Sequence, residues 1–201
     1  SGVVDYKYKM VTNPLDQDVW VKAAEIIPGD RSVLHHVITS FGELETEGRR
    51  AGRLKRGTGG GLGGYVPGAV GKPFPEDTGI LLPAGATIEF QMHYTPAGLA
   101  TTDTSRMGLY LHKAPPKHKL GSMILLNPRI LIPAGAPNHS EVMVRTFDQD
   151  VLVYSLLPHA HYRGKASEFV AHLPDGTKET LLSVPRYDFN WQTNYDLEEP
   201  R

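Results

Sequence analysis

Apolar and polar residues alternate along most of this chain, which is the pattern of β-strands that are buried on one face. Runs such as SVLHHVITSF and ATIEFQMHYT are rich in β-branched and aromatic residues and are bounded by Pro, Gly, Asp or Asn. We find no helical repeat longer than two turns. Strands are predicted over residues 18–30, 32–41, 86–95, 107–113, 140–147 and 149–162. The fold class predicted from this pattern is all-β.

Turn-forming residues predict two further features. SEFVAHLPDGTKETLLSV (167–184) predicts a β-hairpin whose turn is formed by Pro-Asp-Gly. Residues 42–79 predict a long loop, because glycine loses the most backbone entropy on ordering and GTGGGLGG would make a poor strand. This glycine run lacks the Gly-Lys-Ser/Thr ending of a phosphate-binding loop, so we do not expect it to bind phosphate.

An internal repeat indicates two related modules. LLPAGATIEFQMHYT (81–95) and LIPAGAPNHSEVMVRT (131–146) share the turn Pro-Ala-Gly-Ala, and prolines and charges cluster between them at APPKHK (114–119). We therefore predict two successive jelly-roll-like β-sandwich domains, residues 1–116 and residues 117–201. The second is short for eight strands with their connections, so it is expected to be incomplete.

Composition excludes several classes of function. The chain has 201 residues, a formal net charge of -1 and no cysteine, which rules out disulfides, thiolate ligands and a cysteine nucleophile. The one dense basic run, RRAGRLKR (49–56), is interleaved with glycine and predicts a solvated loop, so nucleic acid is not an expected partner. No window of about 18 apolar residues exists, so no membrane span is predicted.

Two of the nine histidines are spaced for a shared metal ion. His159 and His161 in LPHAHYRGK are two residues apart, so on a strand they lie on the same face and can converge on one ion. Two ordinary histidines on a solvated strand are the alternative. A cupin is not indicated, because Lys165 and Ala166 stand where that fold needs a glutamate.

The spacing of His35 and His36, which are adjacent, does not favour binding of one ion by both. Neighbouring residues on a regular strand point to opposite faces, so both can bind one ion only where the strand bulges, twists or ends. His93, in QMHYTP, lies on a later predicted strand and could point to either face of it. We expect the remaining histidines to be structural or solvated: His112, His118, His139 and His172.

Together, VLHHVI, QMHYTP and LPHAHYRGK resemble the copper type II, ascorbate-dependent monooxygenases. This is the family of peptidylglycine α-hydroxylating monooxygenase and dopamine β-hydroxylase, which also has bacterial members. Residues 64–96 are similar to the family's segment that leads into its third histidine, and the resemblance covers most of residues 18–195. It implies two jelly-roll domains that each hold one copper and face each other across a cleft.

The resemblance also implies a role for each motif. His35, His36 and His93 match the ligands of the electron-supplying copper. His159 and His161 match two ligands of the second copper, where oxygen binds and catalysis takes place. The implied reaction hydroxylates a C–H bond of a small molecule or peptide, using O2 and a reductant such as ascorbate. Imidazole suits both copper oxidation states, while zinc is the competing ion. We expect a periplasmic or secreted location.

One departure from the family leaves its function open. The family completes its second copper site with a methionine late in the second domain, whereas every methionine here precedes residue 161. We expect the chain to be a fragment, with a natural variant that has an incomplete second site as the alternative. Two other functions therefore stay open: a copper-binding module or catalytically lapsed relative without turnover, and a β-sandwich interaction domain with incidental histidines.

Overall fold

The computed structural model describes residues 4–55, 59–67, 71–160, 162–189, 191 and 193–201. The chain divides into two compact units, Ser1–Ile124 and Leu125–Arg201. Within the described ranges it forms twelve β-strands and one 3-10 helix, Gly48–Arg50. The predicted all-β class is confirmed. None of the described helical segments is long and apolar enough to span a membrane.

The first unit is a β-sandwich of eight strands in two four-stranded sheets, which is the strand and sheet count of a jelly roll. The strands are β1 (Lys7–Thr12), β2 (Val19–Ile27), β3 (Leu34–Gly42), β4 (Gly60–Tyr65), β5 (Thr78–Leu82), β6 (Thr87–Tyr94), β7 (Arg106–Leu111) and β8 (His118–Lys119). The first sheet has the order β1-β6-β3-β4 and the second has the order β7-β2-β5-β8. All paired neighbours are antiparallel except β5 and β8.

The core of this unit lies between the two sheets. Val21 and Leu82 of the second sheet are fully buried and belong to one cluster with Phe41, Leu62 and Ile88 of the first sheet. Burying each such side chain contributes about 1.5–3 kcal/mol to stability. The alternating pattern of the sequence therefore directs one face of each sheet inward and leaves the other face for solvent or for a site.

The glycine-rich run contradicts the prediction of a loop over all of residues 42–79. Gly60–Tyr65 forms β4, which pairs with β3, and Leu62 in its middle is only 1% exposed. A Cβ added at Gly64 would meet the carbonyl oxygen of Val37 on β3 at 2.3 Å. Glycine is therefore favoured here because the two backbones approach closely, and this benefit outweighs its entropic cost.

The boundary between the units falls slightly later than residues 116 and 117, where the sequence predicts it. Short strand β8 pairs in parallel with β5, Thr78 opposite His118 and Gly79 opposite Lys119. Leu120 also donates its amide to the carbonyl oxygen of Gly79. These contacts attach the proline-rich segment to the first unit.

The second unit contains four short strands in its described residues. They are β9 (Ser155–Leu156), β10 (Ser167–His172), β11 (Lys178–Val184) and β12 (Tyr195–Asp196). Strands β10 and β11 form the predicted hairpin, and β9 pairs with β12. In the hairpin turn, the Asp175 carboxylate accepts hydrogen bonds from the amide and hydroxyl of Thr177, at 2.9 and 2.7 Å.

The strand predicted over residues 140–147 is wrong, and among the described residues of 149–162 only Ser155–Leu156 is a strand. The reason is the lack of a paired partner, because an alternating sequence forms a strand only where another strand accepts its backbone hydrogen bonds. Val142 and Val144 accordingly remain 73% and 75% exposed. The described part of this unit thus has two two-stranded ribbons, fewer strands than the eight of a full jelly roll.

Candidate metal centre

Three histidines converge on the outer face of the first sheet. On β6, Met92 and Tyr94 pack toward the core, so His93 between them points to the opposite face. Strand β3 runs beside β6, with His36 directly opposite His93.

A β-bulge brings His35 to the same side. Leu34 pairs with Tyr94 and His36 pairs with His93, so two steps along β3 correspond to one step along β6. His35 is the extra residue at this register shift. A bulge bends the strand and re-aims its side chains. Two adjacent histidines can bind one ion only where the strand is irregular in this way, so the bulge meets that requirement.

We call His35, His36 and His93 the histidine trio. One ring nitrogen from each lies within 4.8 Å of the others. The Nδ1 atoms of His35 and His36 are 3.1 Å apart, and the three ring centroids are separated by 4.8 to 5.3 Å. Bonds of about 2.0 Å to a metal place neighbouring ligand nitrogens roughly 3 Å apart, so the first pair already has the required spacing.

The nitrogen chemistry of the trio fits a metal ligand set. His93 Nδ1 is buried and has no hydrogen-bond partner among the described residues. Burial lowers the pKa of His36, and the adjacent His93 and His35 lower it further, which favours the neutral ring that metals require. A buried polar atom without a partner is costly, and a bound ion would satisfy it.

Two surface features flank the trio. A groove of about 350 Å³ is lined by His36 together with Ile38, Gly63, Gly64 and Val66. Small molecules therefore have access to one side of the site.

The other feature is Tyr6, whose ring is stacked on His93. Tyr6 was not among the predicted site residues, because no strand was predicted at β1. The alternation of tyrosine and lysine in DYKYKM is the signal that would have indicated this strand and placed Tyr6 and Tyr8 on one face.

The predicted second pair is only partly described. His159 is exposed, follows β9 and is preceded by the buried Pro158, whereas His161 lies outside the described residues. The trio is the one metal-ligating cluster found where the structure describes the chain. A second site at His159 and His161 therefore stays a prediction.

The remaining histidines agree with a structural or solvated role. His112 Nε2 lies 2.9 Å from the carbonyl oxygen of Thr78, and His139 Nε2 lies 3.0 Å from the Glu141 carboxylate. His172 is exposed on β10.

The chain is thus an all-β protein with a three-histidine candidate metal centre on one sheet of a β-sandwich. No protein-family model matches it, and no curated protein matches it.

Proposed function

We propose that this chain is a copper-dependent monooxygenase that hydroxylates a C–H bond of a small molecule or peptide, using O2 and an external reductant such as ascorbate. One observation supports this most: three imidazole nitrogens from β3 and β6 converge on the sheet's outer face. The buried Nδ1 of His93 has no other partner in the described structure. A structural or incidental histidine cluster would normally satisfy such an atom.

Copper is the ion that best suits this ligand set. The cluster consists of imidazoles without a carboxylate, which disfavours hard ions such as calcium and magnesium. Imidazole serves both copper oxidation states, so an ion bound by the trio would pass electrons one at a time. Zinc fits the same nitrogens but has no redox chemistry, and a redox assay separates the two ions.

In this proposal the trio and the second histidine pair have separate roles. His35, His36 and His93 would hold the electron-supplying copper, with the groove beside His36 as the access for a small reductant. His159 and His161 would hold the second copper, which would supply the chemistry that oxidises the substrate C–H bond. The assignment of this second pair comes from the family resemblance alone.

A copper-binding module or lapsed relative without turnover is the second candidate. The sequence favours it in one respect, because no methionine follows His161 to complete the second site with a soft thioether. Such a protein would use the trio and leave His159 and His161 without a catalytic role.

Copper titration of the full chain tests the metal site. We expect the unmodified protein to bind copper at the trio, and His93→Ala to weaken that binding by at least about tenfold, since even loss of a ligand's supporting partner costs that much. His172→Ala, at an exposed histidine far along the chain, is the matched control and should bind like the wild type. His93→Ala should leave occupancy of the second site nearly unchanged. Equal weakening of both sites would contradict the two-site assignment.

Oxygen consumption separates the monooxygenase from the binding module. With copper and ascorbate present, the monooxygenase should consume O2 in proportion to hydroxylated product from a panel of small molecules and peptides. His159→Ala should abolish product formation while the trio still binds copper. Stoichiometric copper binding without reductant-dependent O2 consumption would instead favour the module.

A further inference from the structure

The ring of Tyr6 is stacked on one member of the histidine trio. The ring centroids of Tyr6 and His93 are 4.7 Å apart and their planes differ by 16°. The same tyrosine ring is tilted against His36 at 5.7 Å. Both distances lie in the range of favourable aromatic contacts.

The register of β1 explains how Tyr6 reaches this position. Strand β1 pairs with β6 in the register Lys7 opposite Met92 and Tyr8 opposite Gln91. Tyr6 precedes Lys7, so it continues this pairing toward His93. Side chains two apart share a face, and the hydroxyl of Tyr8 accepts a hydrogen bond of 2.8 Å from the Gln91 side chain on that face.

The ring of His93 needs a restraint if one of its nitrogens is to stay in place for a metal. An imidazole ring turns about two side-chain torsions, and metal-bound histidines are usually held in one orientation by a hydrogen bond from the second ring nitrogen or by neighbouring groups. No hydrogen bond holds the buried Nδ1 of His93 among the residues that the structure describes. The stacked phenol ring limits rotation of His93 and so helps to keep one of its nitrogens within reach of those of His35 and His36.

We propose that Tyr6 is a positioning residue of the trio, which orients His93 for copper and thereby sets the affinity and ligand geometry of the site. This inference rests on the proposed function, in which the trio holds copper. The residue acts through His93 and has no chemical step of its own.

A purely structural role does not account for the position of Tyr6. Its side chain is 45% exposed, it precedes an edge strand, and it belongs to neither core cluster. Truncating it should therefore leave the fold intact and alter the metal site. Tyr8 offers a matched control, since it is 55% exposed on the same strand and face but is paired with Gln91 instead of the trio.

The experiment compares the full chain with Tyr6→Leu, Tyr6→Thr, Tyr6→Phe and Tyr8→Leu. Cu(I) affinity is measured by competition with a chromophoric chelator, and Cu(II) geometry by electron paramagnetic resonance. Both truncations of Tyr6 should weaken Cu(I) binding about three- to tenfold, the range expected for one lost aromatic contact, and should change the Cu(II) spectrum. Tyr6→Phe, which keeps the stacked ring, and Tyr8→Leu should both match the wild type.

The outcomes separate this inference from the proposed function. A wild type that binds no copper overturns both. If the wild type binds copper and His93→Ala does not, but the Tyr6 truncations show wild-type affinity and spectrum, the role of Tyr6 is refuted and the copper site stands. Loss of the folded state in both truncations would make Tyr6 a structural residue and refute the inference as well.

Discussion

Asp103 fixes the chain segment that follows the trio's strand β6. Its carboxylate accepts hydrogen bonds from the amide of Asp30 at 2.8 Å, from the Tyr94 hydroxyl at 2.9 Å and from the Ser105 hydroxyl at 2.8 Å. Burial and the bond to Asp103 raise the pKa of Tyr94 to about 12, so the phenol remains a donor at neutral pH. Because Tyr94 follows His93 directly, this network holds the end of β6 that carries the trio's third ligand.

Replacing Asp103 tests how much this network stabilises the fold. Burial alone would raise the pKa of Asp103, but its hydrogen bonds together outweigh burial and lower it from 3.8. The carboxylate's contribution is therefore fully present above about pH 5, begins to fall near the unfolded-state pKa and is lost as pH falls through the folded-state pKa. Asp103→Asn should reduce the free energy of unfolding by about 1 kcal/mol at pH 7, measured by urea denaturation.

The same variant has a characteristic pH dependence. The stability difference between wild type and Asp103→Asn should be constant from pH 7 down to about pH 5 and should shrink at more acidic pH. A difference that stayed constant through the acid range would show that the charge of Asp103 does not stabilise the fold.

At the level of elements, the pairing of β3 with both of its neighbours forms the candidate metal site. On one side, the bulge at His35 lets two adjacent histidines face His93. On the other side, the glycines of β4 allow that strand to approach β3 closely, and two of them line the groove beside His36. The site therefore depends on two local irregularities in one sheet.

A substitution in β4 tests the close approach. In Gly64→Ala, the new Cβ would lie 2.3 Å from the carbonyl oxygen of Val37, so the two strands must separate. We expect a loss of about 2–3 kcal/mol in the free energy of unfolding, at the upper end of overpacking costs. Thermal unfolding followed by circular dichroism measures the change.

Gly61→Ala is the matched control on the same strand. A Cβ at Gly61 would have its nearest neighbours at 3.5 and 3.6 Å, which is ordinary van der Waals contact. This variant should be within about 0.5 kcal/mol of the wild type. Equal destabilisation by both substitutions would mean that backbone flexibility, rather than the approach of β3 and β4, requires glycine here.

The two compact units of the whole molecule differ in how completely they pair their strands. The first buries its apolar residues between two sheets, whereas residues 125–154 of the second form no strand and leave Ile130, Leu131 and Ile132 at least half exposed. Unpaired backbone and exposed apolar side chains give little resistance to local opening.

Hydrogen exchange of the full chain tests this difference. Amides of β3 and β6 should exchange at least about a thousandfold more slowly than amides of residues 125–150, because the former open only with the core of the first unit. Peptide-resolved mass spectrometry measures both sets in one sample. Comparable protection of residues 140–147 would show that this segment forms the strand that its alternating sequence predicts.

Sequence alone determined the features that depend on local pattern. Alternating residues predicted β2, β3, β6 and β7, and the Pro-Asp-Gly turn predicted the hairpin of β10 and β11. The histidine motifs also identified every member of the trio. These features follow from side-chain periodicity and turn chemistry, which are properties of a few consecutive residues.

Tertiary structure decided what depends on partners distant in the chain. Whether the glycine run became β4 depended on the nearby backbone of β3, and whether residues 140–147 became a strand depended on a partner for their hydrogen bonds. The bulge at His35 exists only in the pairing with β6, and Tyr6 reaches His93 only through the register of β1. Strand pairing joins residues that are far apart in sequence. The sequence pattern therefore identifies the possible ligands, whereas the register of the paired strands determines which of them come together.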